Sequence, residues 1–359
     1  MGPGNRTREE MKLRRPIRRL KAAAAALATL VAASASAQQP FPPALPTDFA
    51  DPFVLPYAGR YYAFATNILE GRVNVPVAFS TDLSHWELAA DPSTGSGYRD
   101  ALPRLPAWSR AGATWAPEVI RIGDRFLLYF TAPNRRSNQQ CIGVAVSRDP
   151  RGPYEPQGDG PIVCQTDLGG TIDASPFRDA DGQLYLYYKN DGNHPSARTA
   201  TQLWGQRLSP DGLSVVGEPV SLGRNDAGWE RHVIEAPFML RRPNGSYLLF
   251  YSAGDFAWQE RERLSTYATG YAVCTTALGP CADAPANPFL ASRSSPDCLS
   301  GPGHPMVFQA EGQDYLVFHG WATRGGCRRA GNARFMHIAR LDWRGDAPQV
   351  GAAVGQARR

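Results

Sequence analysis

Five times along this 359-residue chain a Pro-led apolar strand runs into a Gly-containing turn and then into an aromatic-rich strand. The copies begin at Asp51-Pro52-Phe53-Val54, Ala116-Pro117-Glu118-Val119, Ser175-Pro176-Phe177, Ala236-Pro237-Phe238-Met239 and His304-Pro305-Met306-Val307. The marker prolines are 65, 59, 61 and 68 residues apart, too far for a single hairpin and regular enough for a ring or solenoid of small sheets. The turns carry Ala58-Gly59, Gly123-Asp124, Asp181-Gly182, Asn244-Gly245 and Glu311-Gly312, residue types that tolerate a positive φ. A third apolar strand follows in each copy, at 75–80, 141–147, 202–208, 267–274 and 333–340, and usually a weaker fourth. Convincing amphipathic helices are absent after the N-terminal segment. The pattern predicts an all-β, five-bladed β-propeller with four-stranded antiparallel blades. A pair of β-sandwiches also reads as many short strands, but does not explain one motif returning at near-constant spacing. In a propeller the first strand of each blade lines the central channel, so Asp51, Asp173, Glu235 and His304 are expected to meet at one mouth.

Residues 1–37 stand apart. Arg14, Arg15, Arg18, Arg19 and Lys21 precede a small apolar run, Ala22 to Ala33, and Ala35-Ser36-Ala37 fits a signal-peptidase site. The run is too short and too poor in Leu and Ile for a good membrane span, so no membrane association is expected after cleavage, and the mature protein is expected to be secreted or periplasmic. The leader holds 8 of the 38 basic and 2 of the 33 acidic residues, which leaves 30 bases against 31 acids. A chain so close to neutral does not suggest nucleic acid as a partner. All six cysteines fall in the exported part, which favours disulfides, and sequential pairing is expected: Cys141–Cys164, Cys274–Cys281 and Cys298–Cys327.

Three copies carry an acid within three residues of the marker proline: Asp51, Asp173 and Glu235. One such acid would most simply cap a turn. Three in register, two of them in the apolar settings Ile172-Asp173-Ala174 and Ile234-Glu235-Ala236, point to acid–base work, because acids are rarely buried without a task. Cleaving a glycosidic bond needs one carboxylic acid to protonate the leaving oxygen and one carboxylate to activate water or attack the sugar. A third acid nearby can raise the donor's pKa and hold it in place.

Phe49-Ala50-Asp51-Pro52-Phe53, Thr114-Trp115-Ala116-Pro117-Glu118-Val119, Ile172-Asp173-Ala174-Ser175-Pro176-Phe177 and Ile234-Glu235-Ala236-Pro237 resemble the signature blocks of glycoside hydrolase family 43. The resemblance extends over nearly all of residues 45–345 in the family's order. It implies a five-bladed propeller that inverts anomeric configuration. By position it makes Asp51 the general base, Glu235 the general acid, and Asp173 the acid that tunes and orients Glu235. Trp115 and Phe53 are candidates to stack on a sugar ring or shape the floor of its subsite. His304 and Arg334 are further candidates for substrate contact, and Trp229, Glu230 and His232 for a specificity-setting rim loop.

The leading expectation is therefore an exo-acting hydrolase of arabinose- or xylose-containing plant oligo- or polysaccharides, an α-L-arabinofuranosidase or β-xylosidase. Loops 190–201 and 255–266 are long enough to close a pocket. The alternatives are an endo-arabinanase, which needs an open groove, and a non-catalytic sugar-binding propeller. Arg148-Asp149-Pro150 spells a motif of fructan-cleaving hydrolases but reads as an outer turn. No cofactor is required by these residues, although the channel centre leaves room for a calcium ion. The propeller is expected to span 38–346, with 347–359 a flexible tail.

Overall fold

The computed structural model describes residues 42–195, 197–257, 264–295 and 298–355. The expected leader at 1–37 lies outside them. Blade one is β1 (Phe53–Tyr57), β2 (Arg60–Phe64), β3 (Val77–Ser80) and β4 (Glu87–Leu88). Blade two is β5 (Trp115–Ile122), β6 (Arg125–Pro133), β7 (Gln140–Ser147) and β8 (Glu155–Pro156). Blade three is β9 (Thr171–Arg178), β10 (Leu184–Asn190), β11 (Gln202–Leu208) and β12 (Val215–Arg224). Blade four is β13 (Ile234–Arg241), β14 (Tyr247–Ala253), β15 (Ala268–Cys274) and β16 (Cys281–Asp283). Blade five is β17 (Gly303–Ala310), β18 (Gln313–Arg324), β19 (Arg328–Arg344) and β20 (Ala347–Val354). Every sheet runs in sequence order with antiparallel neighbours, and two short 3₁₀ turns are the helical content among the described residues.

The inner strands β1, β5, β9, β13 and β17 each touch the next, and β17 returns to β1, which closes the ring. The chain segment before β1 adds to the closure: the Ala44 and Leu45 amides donate to Met336 O, and the Phe49 amide to Arg334 O, on β19. An inner strand pairs with its blade on one side only. That leaves a place for a residue without an N–H, which is why proline is tolerated there. Second strands lie between two neighbouring blades and are buried on both faces. They therefore read as continuous apolar runs instead of alternating ones, as in Phe126-Leu127-Leu128-Tyr129-Phe130 of β6, all buried. Their tyrosines anchor the ring: Tyr129 donates to Gly212 O and Tyr187 to Ala277 O, in each case reaching the next blade.

Two expectations are corrected. The segment from Ala347 forms β20 and pairs with β19 from Arg344 back to Ile338, so 347–354 is the outer strand of blade five and not a tail. The prolines do not all mark one register either. Pairing with the second strands aligns Asp51, Ala116, Asp173, Ala236 and His304, each with φ between 45° and 59°. In blade three the proline's place is taken by Ala174, and Pro176 lies two residues further on. The three disulfides pair as expected: Cys141–Cys164, Cys274–Cys281 and Cys298–Cys327.

Candidate active site

At each aligned residue the inner strand turns through the left-handed region, and in blades two to five the ladder is bulged there. Asp and His are among the non-glycine residues that adopt this conformation most readily, and three of the five places hold one. The bulge turns both this residue and the one before it toward the channel mouth. Asp51, Asp173 and His304 occupy the left-handed position itself. Glu235 is one residue earlier, level with Trp115 and Ile172, so the three acids are neighbours in space without being equivalent in register.

A second set of residues holds these bulges in place. At matching positions on the second strands, or just past β2 in blade one, stand Thr66, Thr131, Lys189, Ser252 and His319. Thr66 Oγ1 accepts the Ala116 amide at 3.0 Å, Thr131 Oγ1 the Asp173 amide at 3.3 Å, and Ser252 Oγ the His304 amide at 2.7 Å. His319 Nδ1 stands 3.2 Å from the Asp51 amide and 3.0 Å from Asp51 Oδ1, so this one nitrogen serves the amide or the carboxylate according to tautomer. Lys189 has no lone pair to offer as an ammonium. At that junction the Ala236 amide is met by Asp173 Oδ2, at 2.9 Å.

The result is a pocket of about 320 Å³ at the channel mouth. Asp51, Asp173, Glu235, Trp115, His304 and Arg334 all line it. Phe53 does not. It is buried in the core with Val54, Phe64 and Met306. The loop between β10 and β11 contributes Asp191, Asn193, His194 and Pro195 to the wall, and Phe256, 47% exposed, stands at the lip. Loop 258–263, part of the second expected lid, lies outside the described residues. Glu230 is fully buried, accepting the Asp226 and Ala227 amides and the Tyr251 hydroxyl, and Trp229, Glu230 and His232 are not among the residues that line the pocket.

Asp51 is gripped from several sides. Arg334 Nη1 and Nη2 donate to its two oxygens at 3.0 and 3.4 Å, and Thr66 Oγ1 donates to Oδ2 at 2.5 Å. Burial works to raise its pKa, but the Arg334 charge, with His319 and His304, holds it well below the usual carboxylate range. Asp51 is therefore an anion at any working pH. Glu235 receives Lys189 Nζ on Oε2 at 2.9 Å and the Tyr267 hydroxyl on Oε1 at 2.7 Å. Burial pushes Glu235 up, and the charge and hydrogen bond of Lys189, with Tyr267, bring it back below its ordinary value. Asp173 lies well above the usual range, through burial first and the Glu235 charge second. One carboxylate of that pair thus keeps a proton while the other is ionised, the arrangement expected of acids sharing one site.

Sequence reasoning missed Lys189, Tyr267, His319 and Thr66. None sits near a marker proline, and the second strands that carry Lys189 and His319 read as plain core. Gly303 is required by Tyr267: a Cβ there would stand 1.9 Å from the Tyr267 ring. A calcium ion takes six to eight oxygen ligands. At the channel the ring nitrogens of His304 and His319 face an Asp51 already held by Arg334 and Thr66, and these residues do not make such an oxygen cage. Among the described residues, the cluster with ligand spacing is Asp226, Glu230 and Asp283, away from the pocket.

The family model for glycosyl hydrolases family 43 matches residues 42–348. An extracellular endo-α-(1→5)-L-arabinanase of Thermotoga petrophila is 27% identical over 57% of this chain, a stretch that is 45% of its own length. The chain thus spans less than half of that relative. A β-D-galactofuranosidase of Aspergillus niger is 29% identical over 77% of this chain and 75% of its own. The crystal structure of a thermostable family-43 glycoside hydrolase superimposes with a TM-score of 0.72 at 28% identity, covering 87% of this chain and 96% of that one.

Proposed function

The chain belongs to glycosyl hydrolases family 43, and from that premise we propose that it is a secreted, exo-acting glycosidase removing terminal pentosyl units, α-L-arabinofuranosyl or β-D-xylosyl, from plant oligo- or polysaccharides. The observation that carries the reading is the convergence of Asp51, Asp173 and Glu235, from three blades, in one pocket walled by the β10–β11 loop. In an inverting reaction Asp51, kept ionised by Arg334, removes a proton from the attacking water. Glu235, in the protonated form that grows more populated toward acidic pH, protonates the departing glycosidic oxygen. Asp173, hydrogen-bonded to the amide next to Glu235, orients it and keeps a second negative charge out of reach of the donor. Trp115 and Arg334 flank the space left for the sugar. The relatives named an arabinanase and a galactofuranosidase support a furanosyl or similar small sugar, and the extracellular name of the first, with three disulfides, supports secretion.

A pocket at the small end of ligand sites, which run to roughly 300–1,000 Å³, suits a terminal sugar better than a continuous polymer. Endo-cleavage of arabinan is the second reading, favoured by the arabinanase relative. The two are separated by the product pattern on linear arabino-oligosaccharides: a monosaccharide from the first turnover supports exo action, and mixed oligosaccharides support endo.

The chemistry is tested with 4-nitrophenyl α-L-arabinofuranoside, 4-nitrophenyl β-D-xyloside and the oligosaccharides. Asp51→Ala is expected to lose turnover of all of them, and Glu235→Ala to keep part of its activity on the nitrophenyl glycosides, whose leaving group needs little protonation, while losing about 10²–10⁴-fold on oligosaccharides. Full activity in Asp51→Ala would sink the assignment. Proton NMR of the first-formed anomer checks inversion.

A further inference from the structure

Four of the five blade junctions at the pocket have the same latch, a side chain on or just past the second strand facing the amide of the left-handed residue in the next blade: Thr66, Thr131, Ser252 and His319. The fifth has Lys189, fully buried, with its ammonium 2.9 Å from Glu235 Oε2, 2.7 Å from Asn193 Oδ1 and 3.7 Å from Asp191 Oδ1. Nothing in the packing demands a cation there, since two of the other blades use threonine. Taking an ammonium out of water is costly unless charge partners surround it, and a buried cation is weak evidence of a purely stabilising role. This exception to the fivefold pattern stands against the acid that the mechanism above makes the proton donor.

We propose that Lys189 is a positioning residue which holds Glu235 by a buried ion pair and sets the pH above which Glu235 can no longer give its proton to the leaving group. The proposal rests on the reading of Glu235 as general acid. The groups facing Glu235 are Lys189 from β10 and Asp191 just beyond it, Asp173 from β9, Tyr267 ahead of β15, His304 from β17, and Asp51 ahead of β1. Of these, Lys189 alone is a strong cation in contact with Glu235; Arg334 is engaged by Asp51. Burial would lower the Lys189 pKa, but Glu235, Asp191 and Asp173 together raise it, so the ammonium persists. An adjacent cation favours the ionised form of a carboxyl group. The pair therefore confines proton donation to the acidic side and, with the Tyr267 hydroxyl on the other oxygen, gives Glu235 a fixed direction. The loop that walls the pocket is tied into the same arrangement, because Asn193 shares the ammonium.

The test is a titration of Glu235 by carbon-13 NMR in full-length mature protein labelled at the glutamate carboxyl carbon, with the signal assigned by its loss in Glu235→Gln. Wild type is compared with Lys189→Thr, which copies blades one and two, and with Lys189→Met, which keeps the length. The Glu235 midpoint is expected below 4.5 in wild type and to rise by about one pH unit or more in either variant, at least tenfold in proton affinity. The alkaline limb of kcat/KM on arabino-oligosaccharides should move with it. A wild-type midpoint at or above 4.5 overturns the proposal, and so does a midpoint or a limb that stays put in a folded variant. Loss of thermal stability with an unmoved limb is the mark of a merely structural lysine. The reading of Glu235 as proton donor fails separately, if Glu235→Gln turns over oligosaccharides at the wild-type rate, and the NMR midpoint reports on the ion pair in either case.

Discussion

Asp173 Oδ2 accepts the backbone N–H of Ala236 at 2.9 Å, and Ala236 is the residue after Glu235. One acid of the site is thus hinged to the backbone that carries another, across the junction of blades three and four. At the other junctions the corresponding amide faces a threonine, serine or histidine. Asp173→Asn keeps an acceptor for that amide, and Asp173→Ala leaves it buried and unpaired. The alanine variant should therefore be less stable than the asparagine variant by about 1–3 kcal/mol in chemical denaturation. Both should lose turnover of oligosaccharides. Equal stabilities would mean that the bond does not hold the junction.

Gly303 faces Tyr267 so closely that a Cβ would stand 1.9 Å from Cε1 of its ring. Gly303→Ala must move Tyr267, and with it the hydroxyl that donates to Glu235 Oε1. The expected outcome is a fall in kcat/KM of tenfold or more, in proportion to a lost charge-assisted hydrogen bond of about 1.5–3 kcal/mol. Steady-state kinetics on oligosaccharides checks it. Tyr267→Phe should lose a similar amount without the steric change.

Burial lowers the pKa of three histidines: His304, His319 to about 4, and His337 to about 3, against an ordinary 6.5. Below pH 6.5 the unfolded chain binds protons that the folded chain refuses, so stability present above 6.5 is lost as pH falls from there toward 4. A shift of the size at His319 is on the order of 3 kcal/mol over that window. Asp51, held well below 3.8, adds its own loss only at more acidic pH. Buried Glu118 and Asp173, with raised pKa values, shift stability the opposite way, so the histidine share is read from His337→Gln, whose urea midpoint should fall less, or rise more, between pH 7 and pH 5 than that of wild type.

Cys298 and Cys327 join the segment before β17 to the turn between β18 and β19, across 29 residues. On the chain-entropy account, replacing both by serine should cost about 3–4 kcal/mol. The seven-residue link Cys274–Cys281 closes a shorter loop and should matter less, about 2–3 kcal/mol. Thermal unfolding of the two double-serine variants, side by side, tests the order.

Much of the architecture was legible because it depends on short-range pattern. Proline at an inner edge strand, glycine at the turn and a continuous apolar second strand each report a local environment, and their recurrence five times over reports a ring. Asp51, Asp173 and Glu235 could be picked out because they stand beside that recurring signal. Phe53 was misplaced because nearness to Asp51 in sequence does not show which way a side chain faces once the chain has passed through a left-handed residue. The outer strand at 347–354 was misread as a tail because its Gly- and Ala-rich sequence has little strand character of its own and becomes a strand by pairing with β19.

The sequence alone determined the number of blades, the course of the inner and second strands and the three candidate carboxylates, all of them written in spacing and residue type. Only the tertiary structure decided which carboxylate faces a cation, which an amide and which a guanidinium. Lys189 meets Glu235 from 46 residues away, and Arg334 meets Asp51 from 283, and neither carries any sign of its partner in its own neighbourhood. The physical reason is that a carboxylate's proton affinity follows from the charges and donors within a few ångströms of it, and closing the ring is what brings those groups together.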